Sequence, residues 1–305
     1  MTSAPGLTGS TAHADPTAPS RPAGVPRRAL AVLGTLACAL VAAFVLVPRT
    51  VAATGADGAL ADRRGLAREF RGAFVAYWSS GDRDPSPNLA RIIDYWFRFH
   101  VAKAVIAALL LITLVALAVL LRKAFLTAGG FGAGRRPTLA STGVLGTLFA
   151  VVSVAVLSLA AVMANVQGAA APFASLFPVL PTGATADGRL AATLAEVRAR
   201  LADSSDGGRP TPPAVDVMVG DFARYHVAMA VIAAVVAVVL LGASVTAWRR
   251  LRSTVASDRP TRLLRVSFVV LSASSSLAAV VVAAANTTTA ADPGPALLAF
   301  FDGGW

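Results

Sequence analysis

A chain of 305 residues that is 56% hydrophobic and only 14% charged carries more apolar surface than a globule of that size can hide, since soluble domains hold roughly 25% charged residues. The net charge of +11 does not make it a nucleic-acid binder. The basic residues gather at the ends of apolar segments instead of lining one face with interleaved aromatics. The single cysteine, Cys38, excludes an intramolecular disulfide and any cysteine-based zinc site; inside an apolar run it reads as a small buried packing residue.

Residues 1–28 are rich in Ser, Thr, Pro, Gly and Ala, a composition that cannot build a core and predicts a disordered segment. They end in Arg27 and Arg28, directly before an apolar run at 29–47. Val51, Ala52 and Ala53 offer a small-residue cleavage site, so a twin-arginine or secretory signal is one reading. The run is long for a signal core, and Pro48 and Arg49 separate it from the cut, so we expect an uncleaved anchor. Further apolar runs occupy 101–121, 143–165, 227–248 and 266–285. Each approaches the roughly 20 residues that cross a bilayer as a helix, and lipid offers no partner for an unpaired backbone group. The expected fold is an all-α polytopic transmembrane helix bundle with about five spans.

The connections set the expected orientation. The segment at 122–142 holds Arg122, Lys123, Arg135 and Arg136 without an acid, and 249–265 holds six arginines against Asp258. Together with 1–28 these lie on the cytoplasmic side by the positive-inside rule. That places the N-terminus in the cytoplasm and the tail at 286–305 outside a plasma membrane. The glycine-rich stretch at 129–134 follows no strand and lacks a Gly-Lys-Ser/Thr ending, so it reads as a flexible linker.

Both external connections share a plan. Leu66, Phe70, Phe74 and Tyr77 fall at helical spacing with Arg64, Arg68 and Arg71 off the stripe, and Leu190, Leu194, Val197 and Leu201 repeat the pattern. Pro87 and Pro213 then stand where new helices should start and lead into the even-numbered spans. The amphipathic helices are expected to cap the bundle or lie on the outer leaflet.

An internal match is the most informative feature. The run from Arg98 to Ala108 recurs from Arg224 to Ala234, differing only at Phe99/Tyr225 and Lys103/Met229. Val32 to Leu36 recurs as Val144 to Leu148, and Ser158 to Val162, leading to Asn165, recurs as Ser276 to Val280, leading to Asn286. The implied organisation is a duplicated two-helix unit, 29–121 and 143–248, each with an external loop, plus one extra helix at 266–285. Both copies start inside, so the repeats are parallel.

No span carries an interior acid, and Lys103 is the one charge inside a span, near enough to an end to snorkel. Polar residues gather at the outer boundary: Arg98 and His100 before the second span, Arg224 and His226 before the fourth, and Asn165 and Asn286 closing the third and fifth. These six are the candidate ligand-binding residues. Two imidazoles without a carboxylate make a poor metal shell, so we expect interfacial anchors beside Tyr95, Trp96, Phe97, Phe99, Phe222 and Tyr225, with no metal, no cofactor and no catalytic residue. Gly34 with Cys38, and Ser272 with Ser276, read as helix-packing faces. The expected partners are the lipid bilayer and either a second copy or another envelope protein.

Trp96 to Val105, Ala164 to Gly168 and the tail Ala296 to Phe301 resemble uncharacterised multi-pass integral membrane proteins of high-GC actinomycetes, some labelled as twin-arginine (Tat) signal sequence proteins. Lysine appears only at Lys103 and Lys123, a usage that fits high-GC coding. The resemblance covers most of the chain after residue 29 and implies no activity. The aromatic-rich stretch Trp96 to His100 is also similar to small four-helix membrane proteins related to anthrone oxygenases. The duplication and the fifth helix depart from that pattern, so no catalytic role follows. The expected function is that of an envelope membrane protein presenting its external helices to a partner or ligand; a small-molecule transporter or channel component and a membrane oxidoreductase using the boundary histidines are the alternatives.

Overall fold

The computed structural model describes residues 27–127, 139–181, 188–205, 211–254 and 259–304. The expected disordered segment at 1–28 lies outside these residues except for Arg27 and Arg28, which open the first helix instead, and the glycine-rich linker at 129–134 lies outside them as well. The helices are α1 (Arg27–Ala52), α2 (Gly58–Ala61), α3 (Arg63–Ser80), α4 (Pro87–Thr127), α5 (Leu139–Ala170), α6 (Gly188–Ser205), α7 (Pro213–Arg252), α8 (Arg259–Ala291) and α9 (Pro293–Phe301), with short 3-10 turns at Gly55–Asp57 and Ala174–Val179. No strand occurs among the described residues. Among the described residues five helices, α1, α4, α5, α7 and α8, are long and apolar enough to cross a membrane.

The two prolines start their helices as the sequence predicts, Pro87 for α4 and Pro213 for α7. At that position a proline loses no intrahelical bond, because the amide it lacks has no partner there. With 41 and 40 residues, these helices measure about 60 Å at 1.5 Å per residue, roughly twice the hydrocarbon thickness. The apolar runs, 101–121 with the lone charge Lys103 and 227–248, fill only part of each helix, so with its preceding part each helix is longer than a crossing requires.

Those preceding parts build a cap. Leu66, Phe70, Phe74 and Tyr77 of α3 turn inward and meet Leu89, Ile92 and Tyr95 of α4, Leu194, Val197 and Leu201 of α6, and Val215, Met218 and Phe222 of α7 in one buried cluster. Asp62 caps α3 by accepting from the Gly65 amide at 2.9 Å. Gly81 ends it at φ 69° with its amide on the Trp78 carbonyl, a left-handed turn that glycine adopts without a Cβ penalty. Of the two placements open to the amphipathic helices, capping the bundle is the one realised.

The tail joins the same core. α8 continues past the expected span end to Ala291, the chain turns at Asp292, and α9 inserts Leu297, Phe300 and Phe301. Arg198 of α6 holds it by donating to the Phe301 carbonyl at 2.9 Å. The ends of α1, α5 and α8 and the starts of α4 and α7 all reach this cap, so successive spans alternate in direction. The pairs α1/α4 and α5/α7 therefore run in the same sense.

In the membrane half, α1, α4 and α5 meet through Ala37, Leu110, Leu114, Leu117, Leu121 and Val151. Lipid tails are as apolar as these side chains, so close fit and polar contacts between helices carry the association there. Ser276 of α8 donates to the Ala237 carbonyl of α7 at 2.9 Å, and Ser244 of α7 donates to the Val269 carbonyl of α8 at 3.3 Å. Ser272 and Ser276 are buried as a packing face should be. Cys38 is not: it is exposed, and the neighbouring Ala37 is the residue turned into the helix contact. One position is 100° on a helix, so composition alone could not choose between them. Large residues such as Ile112, Phe149, Val238 and Leu277 face outward along the spans, as lipid contact requires.

Candidate functional site

The candidate residues lie where the cap meets the bundle, and they form two similar assemblies. His100 of α4 reaches α5, its Nδ1 3.1 Å from Asn165 Oδ1. His226 of α7 reaches α8, its Nδ1 2.8 Å from Asn286 Oδ1. Each asparagine is oriented by its own helix: Asn165 Nδ2 donates to the Ala161 carbonyl at 2.7 Å and Asn286 Nδ2 to the Val282 carbonyl at 2.8 Å. With the amide nitrogen engaged, the oxygen must face the imidazole, and an amide oxygen only accepts. Each histidine therefore donates from Nδ1, and in the neutral ring the lone pair then falls on Nε2. Both Nε2 atoms are buried without a hydrogen-bond partner.

Aromatic rings wall each imidazole. Trp96 meets His100 edge-on at 4.9 Å and Phe99 at 5.6 Å; Phe222 meets His226 at 4.5 Å and Tyr225 at 5.4 Å. These are the residues one and four positions earlier on the helix; three apart from each other, they share a face and together flank the imidazole. Gly168 provides the remaining wall of the first assembly, since a Cβ there would stand 2.7–2.8 Å from three imidazole atoms. At the matching spacing from Asn286, α8 carries Thr289. Gln167 ties the two assemblies together by donating to the Tyr225 carbonyl at 3.2 Å.

The arginines do different work from the histidines. Arg98 donates to the Ala52 carbonyl at the end of α1 (2.9 Å), pairs with Asp57 (2.9 Å) and contacts Asp94. Arg224 pairs with Asp221 at 2.6 Å, and Asp221 accepts from the Ala174 amide at 2.8 Å. In each copy an Arg–Asp pair closes the turn that leaves the preceding span. Asp57 is 2% exposed, and it also accepts from the Thr54 amide at 3.1 Å and the Thr54 hydroxyl at 3.0 Å. Burial pushes its carboxyl upward, but the two Thr54 hydrogen bonds and the Arg98 and Arg91 guanidiniums outweigh that and hold it below the ordinary value.

The structure thus brings together His100 with Asn165 and His226 with Asn286, while the arginines turn to acids. No hydrogen bond or ring contact joins the two histidines among the described residues. Of the six aromatics expected as interfacial anchors, Tyr95 and Phe222 belong to the cap core and only Phe97 is exposed. Trp96 donates to the Ser175 hydroxyl at 2.8 Å. Tyr95 and Phe222 are core residues because the parts of α4 and α7 that carry them pack into the cap. Sequence reading missed Asp57 and Asp221. Thr54 and Asp57, three apart before a helix, form a capping-box spacing that could have pointed to the first; Asp221 acts through a backbone amide and leaves no pattern.

Chemically, each imidazole offers one lone pair in an apolar enclosure. No group of three or more His, Cys, Asp or Glu placed to hold a metal ion occurs among the described residues. A small cleft lined by Ala174, Phe177, Pro178, Phe222, Tyr225 and Phe300 opens beside the second assembly.

The fold and site define an all-α, multi-pass membrane protein whose five spans carry a folded helical cap on one side. Comparison with known proteins finds no matching family model, no matching curated protein and no matching solved structure.

Proposed function

We propose that this chain is a non-catalytic integral protein of the plasma membrane, with its N-terminus in the cytoplasm and its cap outside, that presents the polar faces of α3 and α6 to an envelope partner. One observation carries the reading. The apolar stripes of both helices are consumed in a common core with α9, so the surface left outward is polar, with Arg64, Arg68 and Arg71 exposed in a row on α3. No acid among the described residues pairs with them, and a row of unpaired guanidiniums favours a partner rich in carboxylates or phosphates. A photo-reactive residue placed at Arg68 in intact cells is expected to give a discrete crosslinked product. Arg64→Glu, Arg68→Glu and Arg71→Glu together should abolish it at unchanged protein abundance. A cap that is accessible from outside yet gives no discrete product from α3 or α6 would end the proposal.

The two unpartnered Nε2 lone pairs favour one second reading, an oxidoreductase that uses the boundary histidines. In metal-binding histidines the other ring N–H is held by a carbonyl or carboxylate, as each is held here. Metal analysis separates the two readings. The presentation reading expects no stoichiometric metal or haem, and normal accumulation of the His100→Gln, His226→Gln protein; about one equivalent, lost in that variant, replaces it with the oxidoreductase.

A further inference from the structure

Lys103 is the charge that the helix pattern does not need. Its counterpart in the second copy is Met229, so packing at that register is satisfied by an uncharged chain of similar length. In the structure its ammonium lies 4.4 Å from the centre of the Phe44 ring of α1 and 5.4 Å from that of Phe99. Both rings present their electron-rich faces to the cation. A second cation, Arg49, stands on α1 five residues beyond Phe44, toward the cap. Arg98 touches the Ala52 carbonyl, Arg49 is one turn below Ala52, and Lys103 is five residues below Arg98. Both cations therefore stand within about two helical turns of the level of Ala52, the cap end of α1.

Neither cation pairs with an acid among the described residues. Two like charges at the membrane boundary, without a counter-ion, are costly in a layer of low dielectric. The second copy avoids the problem entirely: the described residues of α5 and of the turn that follows it contain no Lys or Arg before Gly188. The asymmetry therefore marks a property of the α1/α4 seam alone. At that depth the anion at hand is the phosphate of a phospholipid, and exposed Val45, one turn before Arg49 on the same face of α1, offers surface suited to acyl chains.

We propose that Arg49 and Lys103 form a binding site for the phosphate of an anionic phospholipid in the cap-side leaflet, held in the groove between α1 and α4 with Phe44 and Phe99 as its aromatic walls. The full-length protein would be purified in phosphatidylcholine micelles containing phosphatidylglycerol, and the bound phosphatidylglycerol counted by native mass spectrometry. We expect wild type to retain one such lipid in preference to phosphatidylcholine. Lys103→Met, which copies the second repeat, and Arg49→Gln should each weaken retention about fivefold, the effect of one basic residue near an anionic headgroup. Lys103→Arg should retain the lipid. The cap tryptophan emission checks folding in each case. Unchanged phosphatidylglycerol retention in both Lys103→Met and Arg49→Gln overturns the site. Displacement of the lipid by millimolar inorganic phosphate would also overturn it, by showing that the site takes free phosphate.

Discussion

Replacing Asp57 by Asn tests whether the Arg–Asp closure holds the cap to the first span. The carboxylate is almost fully enclosed and accepts from Thr54 twice, from Arg98 at 2.9 Å and from Arg91 at 3.3 Å. Asn keeps the size but removes the charge, and it leaves both guanidiniums without their shared counter-ion. Breaking a buried ion pair costs about 3–5 kcal/mol. The arginine side chains remain 30% and 35% exposed, so water compensates part of the loss and we expect about 2 kcal/mol at neutral pH. That is roughly a thirtyfold change in the folding equilibrium. The assay is denaturant unfolding of the detergent-solubilised protein, followed by emission from Trp78 and Trp96 in the cap. The pH dependence gives an independent check. A carboxyl held below its unfolded value of about 3.9 stabilises the fold in full above that value, and the contribution is lost as pH falls through the lower folded value. The gap between wild type and Asp57→Asn should therefore be constant from about pH 6 to 8 and shrink below about pH 4. Glu69→Gln is the control, because Glu69 stands 4.0 Å from Arg91 at the surface and should shift stability by less than about 0.5 kcal/mol. A variant within about 0.5 kcal/mol of wild type at neutral pH, or a gap that widens on acidification, refutes the reasoning.

Gly168→Ala should destabilise the α4/α5 pair by about 1–3 kcal/mol, the usual range for overpacking, even though alanine is the better helix former. His100→Ala should reverse most of that loss, and additive costs in the double variant would show that the glycine does not serve the imidazole. Phe301→Ala removes a fully buried ring from the cap and should cost about 3–5 kcal/mol. Limited proteolysis would read this as faster cleavage around α9, and an unchanged digestion rate would show that the tail is dispensable.

The spans were legible because the bilayer leaves a chain so little choice. Apolar runs of the right length must be helical and must lie across the membrane, whatever their neighbours do. The outer halves of α4 and α7 were legible through Pro87 and Pro213, and the inward faces of α3 and α6 through the spacing of Leu66, Phe70, Phe74 and Tyr77 and of Leu194, Val197 and Leu201. The boundary polar residues could be picked out as a group because Arg98 and His100 recur as Arg224 and His226. Their pairing could not. Sequence places His100 and Asn165 sixty-five residues apart, and only the antiparallel packing of α4 on α5 brings imidazole to amide, as that of α7 on α8 does for His226 and Asn286. The same holds for Tyr95 and Phe222, whose composition suits a membrane interface as well as a core. That the cap exists as one folded body was settled by long-range burial, with Phe300 and Phe301 of the tail packed beside Phe177. Local periodicity says which face of a helix is apolar. What covers that face depends on contacts between segments far apart in the chain, and those exist only once the chain has folded.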